Sequence, residues 1–368
     1  MQRTAAAKPM YLKIRERLER ELHGGQYEAG EKFPSEAALG ERFQASRITV
    51  GRAVRELQER GLLERVAGSG TYVRGPGPRR REGLLFGLVI PNLGETEIFE
   101  PICRGIASSP DARGHALLWA HAASGSSREE QALELARQAI ARGVAGVFFA
   151  PLELSAQSAA VNAQVLKLLH GAGLAVVLLD RHTGESSQRR GCDLVGIDNH
   201  RAGYLAAAHL LERGVRRPGF LRIAGQAHTV KERVRGYRDA LAEQGVKGAM
   251  FTLEAERVWK PDAAAMLCDG FVCANDRIAG RCMQALAAAG RRIPRDVAIV
   301  GIDDVQYASL LPVPLTTVRQ PCREIGETAM RVMLDRLEHP KMPARDILLD
   351  CTLIVRASSR VGPQAKTD

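Results

Sequence analysis

Apolar residues recur at helical spacing from the start of the chain. Tyr11, Ile14, Leu18 and Leu22 predict a helix over 8–24, closed by Gly24-Gly25. An extended Glu31-Lys32-Phe33 leads to Pro34-Ser35, where Ser35 is the expected N-cap of a second, brief helix ending near Phe43. Ser46 offers the N-cap of a third helix running to about Arg60, with Val50, Val54 and Leu57 as its inward stripe and Gly61 as its stop. Two short strands are expected next, Leu62 to Val66 and Thr71 to Val73, joined by a tight turn at Gly68-Ser69-Gly70.

The pattern then changes. Residues 74–83 are rich in Gly, Pro and Arg, a composition that builds no core and reads as a linker. Beyond it, apolar runs at 84–90, 115–119, 144–149, 174–179, 194–197, 219–223, 270–273 and 297–302 alternate with helical stretches such as 128–142, 200–213 and 277–289. Continuous apolar runs bounded by turns predict strands buried on both faces, hence parallel sheets wrapped in helices. There are too many units for one comfortable sheet, so two doubly wound lobes with a cleft between them are expected. The predicted class is α/β, with a small helical domain over 1–74, a linker over 75–83 and a two-lobed domain over 84–368.

Charge sharpens that division. The 368 residues carry a formal net charge of +10, and residues 1–82 hold 17 Lys+Arg against 11 Asp+Glu. More than half of the excess therefore sits in under a quarter of the chain, where a polyanion would bind. Seven scattered cysteines, with no Cys-x-x-Cys pair, fit buried thiols in a reducing cytosol better than a metal site or a disulfide framework. No signal-peptide pattern or membrane-length apolar run is present, so a cytoplasmic protein is expected.

With Val50, Val54 and Leu57 turned inward, Arg47, Thr49, Arg52 and Arg55 are left on the outer faces of the third helix. Arg reaches guanine O6 and N7 bidentately, a helix N-terminus can face a phosphate, and a glycine tip between two strands fits a minor groove. Phe33-Pro34-Ser35-Glu36, Ser46-Arg47-Ile48-Thr49-Val50, Gly61-Leu62 and Gly68-Ser69-Gly70-Thr71-Tyr72-Val73 together resemble the GntR-type winged helix-turn-helix across residues 8–74. The resemblance implies double-stranded operator DNA as partner. It places Ser46, Arg47 and Thr49 at the DNA, Gly68, Ser69, Gly70 and Thr71 in the minor groove, and Ser35 and Glu36 near the backbone. Relatives usually carry Arg at the position of Gly51 and a bulkier polar residue at Ala37, so either the operator differs or Arg52 takes over part of that role.

Residues 84–360 resemble the effector domain of LacI/GalR-type regulators, itself similar to periplasmic sugar-binding proteins. The matching pieces are Phe86-Gly87-Leu88-Val89-Ile90-Pro91, Asp198-Asn199 with Gly203, Arg233 with Gly236-Tyr237, Cys273-Ala274-Asn275-Asp276, Val300-Gly301-Ile302-Asp303-Asp304 and Leu315 to Pro321. A GntR-type head on such a body is similar to the arabinose-repressor subgroup. Asp180, Asn275 and Asp303 each follow an apolar strand, and strand ends in doubly wound lobes point into the crevice. Carboxylates accept, Arg donates and an amide does both, which suits a polyol such as a sugar. The resemblance implies Arg233, Asn275 and Asp303 as the core of the pocket, Asp180 beside them, Phe99 and Trp259 as stacking surfaces, and Thr229 as a neighbour. The stretch from Trp259 to Asn275 is shorter than is usual in such domains, which implies a clipped helix there.

An enzyme body is the alternative that the residues disfavour. Only nine Lys occur, none in a Schiff-base setting, and no nucleophile elbow, metal spacing or phosphate loop is present. No cofactor is expected. The resemblance implies a homodimer reading a near-palindromic operator, with Arg79, Arg80 and Arg81 of the linker as additional phosphate contacts. A repressor released by its effector and a ligand-activated DNA binder of the same fold both satisfy this pattern.

Overall fold

The computed structural model describes residues 9–360 other than 24–25, 28–29, 60–61, 67–68, 74–82, 92, 94–96, 121–125, 184–190, 226 and 255–256. It forms two compact units, Met1–Glu82 and Gly83–Asp368. In the first, helical spacing gives α1 (Met10–His23), α2 (Glu36–Phe43) and α3 (Arg47–Glu59). Ile14, Leu18, Leu39, Val50, Val54 and Leu57 meet in a buried core, so the apolar stripes point where their period places them. The Ser35 hydroxyl accepts the Ala38 N–H at 3.2 Å, and Gln44 ends α2 in the left-handed region at φ 47°. Ser46 likewise accepts the Thr49 N–H at 3.3 Å at the start of α3.

The antiparallel hairpin β1 (Leu63–Val66) and β2 (Gly70–Val73) pairs Leu63 with Val73 and Val66 with Gly70. The extended Glu31–Phe33 piece adds a third strand-like rung: the Phe33 N–H donates to Thr71 and the Val73 N–H to Glu31, both at 2.8 Å. Gly24, Gly25, Gly61, Gly68 and the linker arginines lie outside the described residues.

The second unit holds two six-stranded sheets. The first lobe contains β3 (Leu85–Val89), β4 (Ala116–Leu118), β5 (Gly146–Phe149), β6 (Ala175–Leu179), β7 (Asp193–Ile197) and, far along the chain, β13 (Asp346–Leu349). Its strand order is β13-β7-β6-β5-β3-β4, parallel throughout. α5 (Arg128–Ala141) and α6 (Ser158–Gly171) cover one face, and α4 (Phe99–Ser108) with α11 (Cys322–Glu338) the other. Val147 and Phe149 join the first of these cores and Phe148 the second, the two-residue alternation of a strand buried on both faces.

The second lobe has order β14-β12-β11-β10-β8-β9. Its strands are β8 (Pro218–Ile223), β9 (Ala249–Leu253), β10 (Gly270–Cys273), β11 (Ala298–Asp303), β12 (Thr316–Arg319) and an antiparallel β14 (Thr352–Ile354). Its helices are α7 (Asn199–Glu212), α8 (His228–Glu243), a five-residue α9 (Ala263–Leu267) and α10 (Asp276–Ala288). The chain crosses between lobes three times, after β7, β12 and β13.

Four strands, β9, β12, β13 and β14, were not anticipated by apolar runs. β9, β13 and β14 lie at sheet edges, and none is a continuous buried run: β9 has one exposed position between two buried ones, while β13 and β14 hold only half-buried and exposed positions. β12 is buried but begins Thr316-Thr317. Those hydroxyls are satisfied internally, Thr316 by the Arg356 carbonyl at 3.0 Å and Thr317 by Asp276 at 2.5 Å.

Candidate functional site

On the head, the first turn of α3 presents Arg47, Ile48 and Thr49 together. Arg47 is 81% exposed, with its Nε 3.7 Å from a Glu36 carboxylate oxygen. The Thr49 hydroxyl is held 2.8 Å from Ser46 Oγ, which fixes both side chains beside the helix N-terminus. A Cβ on Gly51 would come 3.4 Å from the Glu36 carboxylate, so Glu36 packs over the gap that the glycine leaves. Arg52, one turn further, lies with its guanidinium 3.9 Å from the Tyr11 ring centroid and also bonds the Tyr11 hydroxyl at 3.2 Å. It is thus anchored to α1 on the flank of the helix. Ala37 is exposed. In the hairpin, Ser69 Oγ meets the Tyr72 hydroxyl at 2.6 Å, and Gly70 adopts φ 131°, which an L side chain rarely takes. Thr71 is half-buried in β2. Ile48, which the sequence reading passed over, is the most exposed large apolar residue described, at 86%.

In the two-lobed unit the carboxyl ends of β3, β5, β6, β8, β10 and β11 face a cleft of about 1440 Å³. All seven expected effector residues line it: Phe99, Asp180, Thr229, Arg233, Trp259, Asn275 and Asp303. On the first lobe, Asp180 closes β6 at φ 67° and is buried. Its Oδ2 accepts the Arg181 Nε–H at 2.9 Å, while Oδ1 has no hydrogen-bond partner among the described residues. Arg181 also donates to Glu153 at 2.6 Å and lies 5.3 Å from the Phe99 ring centroid. Burial disfavours the Arg181 cation, but Glu153 and Asp180 outweigh it and hold its pKa above the ordinary value.

On the second lobe, Arg233 is threaded through three partners. Nε donates to Asn199 at 2.8 Å, Nη1 to the Ala274 carbonyl at 2.6 Å, and Nη2 stands 3.5 Å from Asp303. It is placed by a close helix crossing: a Cβ on Gly203 of α7 would collide with the Arg233 carbonyl, and one on Gly236 of α8 with that of His200. Asp303, at φ 125°, also accepts from Gln320 at 2.7 Å. Burial pushes its carboxyl up to about 6; Arg233 and Gln320 pull it down, while Asp180 and Glu97 push it up. The adjoining Asp276 is raised to about 7, by burial first and Asp303 second.

Asn275 caps α10 through Oδ1, which accepts the Ile278 N–H at 2.9 Å and leaves its amide nitrogen without a hydrogen bond among the described residues. Trp259 serves two purposes. It lines the cleft and packs on Phe271 and Phe251, with ring centroids 5.9 and 6.4 Å apart.

The lobes also touch each other. Glu153, beyond β5, accepts from the Thr229 hydroxyl at 3.2 Å and from its N–H at 3.4 Å. α8 has no side-chain cap of its own, so the opposite lobe supplies one. His182 and His228 face each other edge-on, 6.1 Å apart, across the same boundary. Glu153 and Arg181 were missed by the sequence reading, and Asn199 and Gln320 entered it only inside matching motif pieces, with no role assigned. Arg181 had a local signal, as the charge directly after the strand-end Asp180, and Glu153 had none.

All seven cysteines are unbridged, and six are buried. Among the described residues no group of three or more His, Cys, Asp or Glu is placed to hold a metal ion. No described helix is long and apolar enough to cross a membrane.

Comparison with known proteins agrees with both halves. Residues 10–73 match the bacterial regulatory proteins of the gntR family, and residues 207–359 match the periplasmic binding protein-like domain. The arabinose metabolism transcriptional repressor of Geobacillus stearothermophilus is 29% identical over 368 residues, spanning 96% of this chain and 98% of that one. The HTH-type transcriptional regulator reg1 of Streptomyces lividans is 31% identical over 297 residues, or 77% of this chain and 83% of that one. A ribose-bound LacI family transcriptional regulator from Enterococcus faecalis V583 superposes with a TM-score of 0.61 at 25% identity, covering 74% of this chain and 98% of that one.

Proposed function

Since the chain belongs to the HTH-type bacterial transcriptional regulators that join a gntR-family head to a periplasmic-binding-protein-like body, we propose that it is a cytoplasmic repressor, acting as a homodimer, whose cleft takes a sugar or related polyol and thereby releases operator DNA. The observation that carries the effector class is the polar set at the strand ends. A buried Asp180 oxygen without a hydrogen-bond partner among the described residues, the Asn275 amide and the Arg233–Asp303 pair offer acceptors and donors together, which is what vicinal hydroxyls need. A buried acceptor left unpaired costs about 1–3 kcal/mol, and a ligand hydroxyl donating to Asp180 relieves that cost.

On the head, Arg47 and Thr49 read base edges, Ile48 meets a thymine methyl, and Ser35, Glu36 and Ser46 lie by the phosphates. Gly68, Ser69, Gly70 and Thr71 enter the minor groove. Arg52, tied to Tyr11, serves the backbone at the edge of that footprint. Residues 75–83 join head and body, with Arg79, Arg80 and Arg81 adding phosphate contacts.

Release works through lobe closure. Asp180 and Arg181 belong to one lobe, Arg233 and Thr229 to α8 of the other, and Glu153 bonds both sets. A ligand that engages Asp180 and Arg233 together favours the closed arrangement, and a coupling of about 1–3 kcal/mol changes operator affinity roughly 5- to 150-fold. The buried charges bind and are not consumed, so the body is a sensor and not an enzyme.

A thermal-shift screen against pentoses, hexoses, sugar acids and nucleosides tests this reading, repeated with Asp180→Asn and Asp303→Asn. The expected result is a rise in Tm with a sugar or sugar derivative that both variants lose. A hit that survives both substitutions removes the strand-end site from the mechanism. Adding the same ligand to an operator-bound sample separates a repressor, which lets go, from a ligand-activated binder, which tightens.

A further inference from the structure

Between β5 and α6 the chain makes a short finger that reaches the opposite lobe. Its base is clamped on both sides. The buried Asn162 of α6 accepts the Leu152 N–H at 2.8 Å and donates to the carbonyls of Leu152 at 2.9 Å and Thr183 at 3.2 Å. Three residues on, the Ser155 hydroxyl donates to Glu129 at 2.6 Å and the Ser155 N–H to Ser158 at 3.2 Å. Glu153 and Leu154 project from between these clamps. Leu154 adopts φ 75°, a left-handed conformation that a leucine keeps only where its surroundings hold it.

The second lobe is shaped to receive the finger. Glu153, with a side chain only 11% exposed, bonds Arg181 of its own lobe and accepts from the Thr229 hydroxyl and N–H at the start of α8. A carboxylate there also meets the positive end of the helix dipole. Leu154 lies against Gly225, beyond β8, where φ is 128° and a Cβ would stand 3.1 Å from Leu154 Cδ2. These contacts are remote from the hinge. The chain crosses between lobes after β7, β12 and β13, whereas β5 is the second strand from β7 and β8 the third from β12. At about 4.8 Å per strand, the finger stands roughly 10–14 Å from the crossings. A 3.2 Å hydrogen bond is lost once its atoms part by about 0.5 Å, so a slight opening of the cleft unfastens it.

We propose that residues 152–155 form a clasp, with Glu153 as its positioning residue, that sets how readily the lobes close and hence how much effector releases the DNA. The clasp presupposes release by lobe closure, as read above. Glu153 acts without touching the ligand. It joins Arg181, which holds Asp180, to α8, which carries Arg233 one turn beyond Thr229. The groups that grip the effector from the two lobes are thereby brought together before it arrives. Apparent affinity scales with the closed fraction, so a weaker clasp costs effector affinity although the pocket residues are intact.

The test compares the full natural chain with Glu153→Gln and with Gly225→Ala, which acts from the other lobe by setting a Cβ against Leu154. Denaturant unfolding checks that both variants fold. Hydrogen exchange read by mass spectrometry needs no ligand. Both variants should exchange at least about threefold faster in 151–155 and 180–183 of one lobe and in 227–232 of the other. Faster exchange confined to the first turn of α8 makes Glu153 a local helix cap and overturns the clasp, as does exchange unchanged in both variants. Calorimetric titration with L-arabinose, D-ribose, D-xylose and D-glucose is the second arm. Any of these that the natural chain binds should bind each variant about five- to tenfold more weakly. Equal affinity in all three proteins overturns the clasp. Binding abolished by Glu153→Gln and untouched by Gly225→Ala overturns it too, by making Glu153 a direct ligand contact. The two readings fail separately. A sugar that binds the natural chain without slowing exchange in either lobe sinks closure, while the ligand-free comparison of the three proteins still decides the clasp.

Discussion

Two arginine–carboxylate pairs, one in each unit, show how differently the molecule uses the same chemistry. Arg47 and Glu36 stand 3.7 Å apart on the head, with Arg47 81% exposed. Arg233 and Asp303 stand 3.5 Å apart in the cleft, with side chains only 6% and 11% exposed. Water screens the first pair, which contributes at most about 1 kcal/mol and leaves Arg47 ready to exchange its carboxylate for a phosphate or a guanine edge. The second pair has lost its water and is held by Asn199, Ala274 and Gln320. Its arrangement exists before any ligand arrives. An exposed charge is suited to a large polyanion met at a surface, and a buried, pre-set charge to a small ligand that must be told from its neighbours.

The comparison is broken most directly by removing each arginine in turn. Arg233→Ala leaves Asp303 buried with its cationic partner gone, so the body should lose about 3–5 kcal/mol of stability and its effector-induced thermal shift. Denaturant unfolding and the shift assay measure both. A stable variant that still binds its effector would make Arg233 a bystander. Arg47→Ala should do the reverse. Tm stays within the range of surface substitutions, about ±0.5 kcal/mol, while operator affinity falls by about 1–3 kcal/mol in a gel-shift titration. A matching loss of stability would show the Arg47–Glu36 pair to be structural.

The smallest expected effect is the one of pH. Asp303 is raised from 3.8 to about 6 and Asp276 from 3.8 to about 7, in both cases because burial disfavours the carboxylate. The folded body therefore holds protons that the unfolded chain has released. Their stabilising contribution is complete below about pH 4 and is lost as pH rises through 6 to 7. Effector affinity should move the other way, rising with pH up to about 6 by at most roughly tenfold per unit as Asp303 becomes a full acceptor. Calorimetry between pH 4.5 and 7.5 reads both trends, and Asp276→Asn should flatten the stability slope. A body whose Tm rises steadily over that range contradicts the burial of these carboxyls.

Much of this architecture was legible in the chain because its signals are local. Val147-Phe148-Phe149 reads as a strand buried on both faces because all three residues are apolar, and each packs into a core. Ser35 and Ser46 mark helix starts through hydroxyls that reach N–H groups three residues on. Asp180, Asn275 and Asp303 stand out as polar residues closing apolar runs, and all three line the cleft. β9 escaped notice because an exposed Thr252 interrupts its apolar run, β14 because it is only three residues long at a sheet edge, and β12 because its buried threonines do not count as apolar. Glu153 had no signal at all: its partners lie 28 and 76 residues away, on β6's end and on α8.

The sequence by itself determined the helices and most strands, the basic bias of the first unit, and the chemical types at the strand ends. Hydrophobic period, caps and charge counts act within a few residues of where they are written. Only the tertiary structure decided which of those types meet. It brought Glu153 to the uncapped start of α8 and set Arg233 by the glycine-lined crossing of α7 and α8. Each of these depends on how far a crossover reaches and on which lobe the chain returns to. Three passages between lobes fold distant residues onto one cleft, and no local pattern records that path.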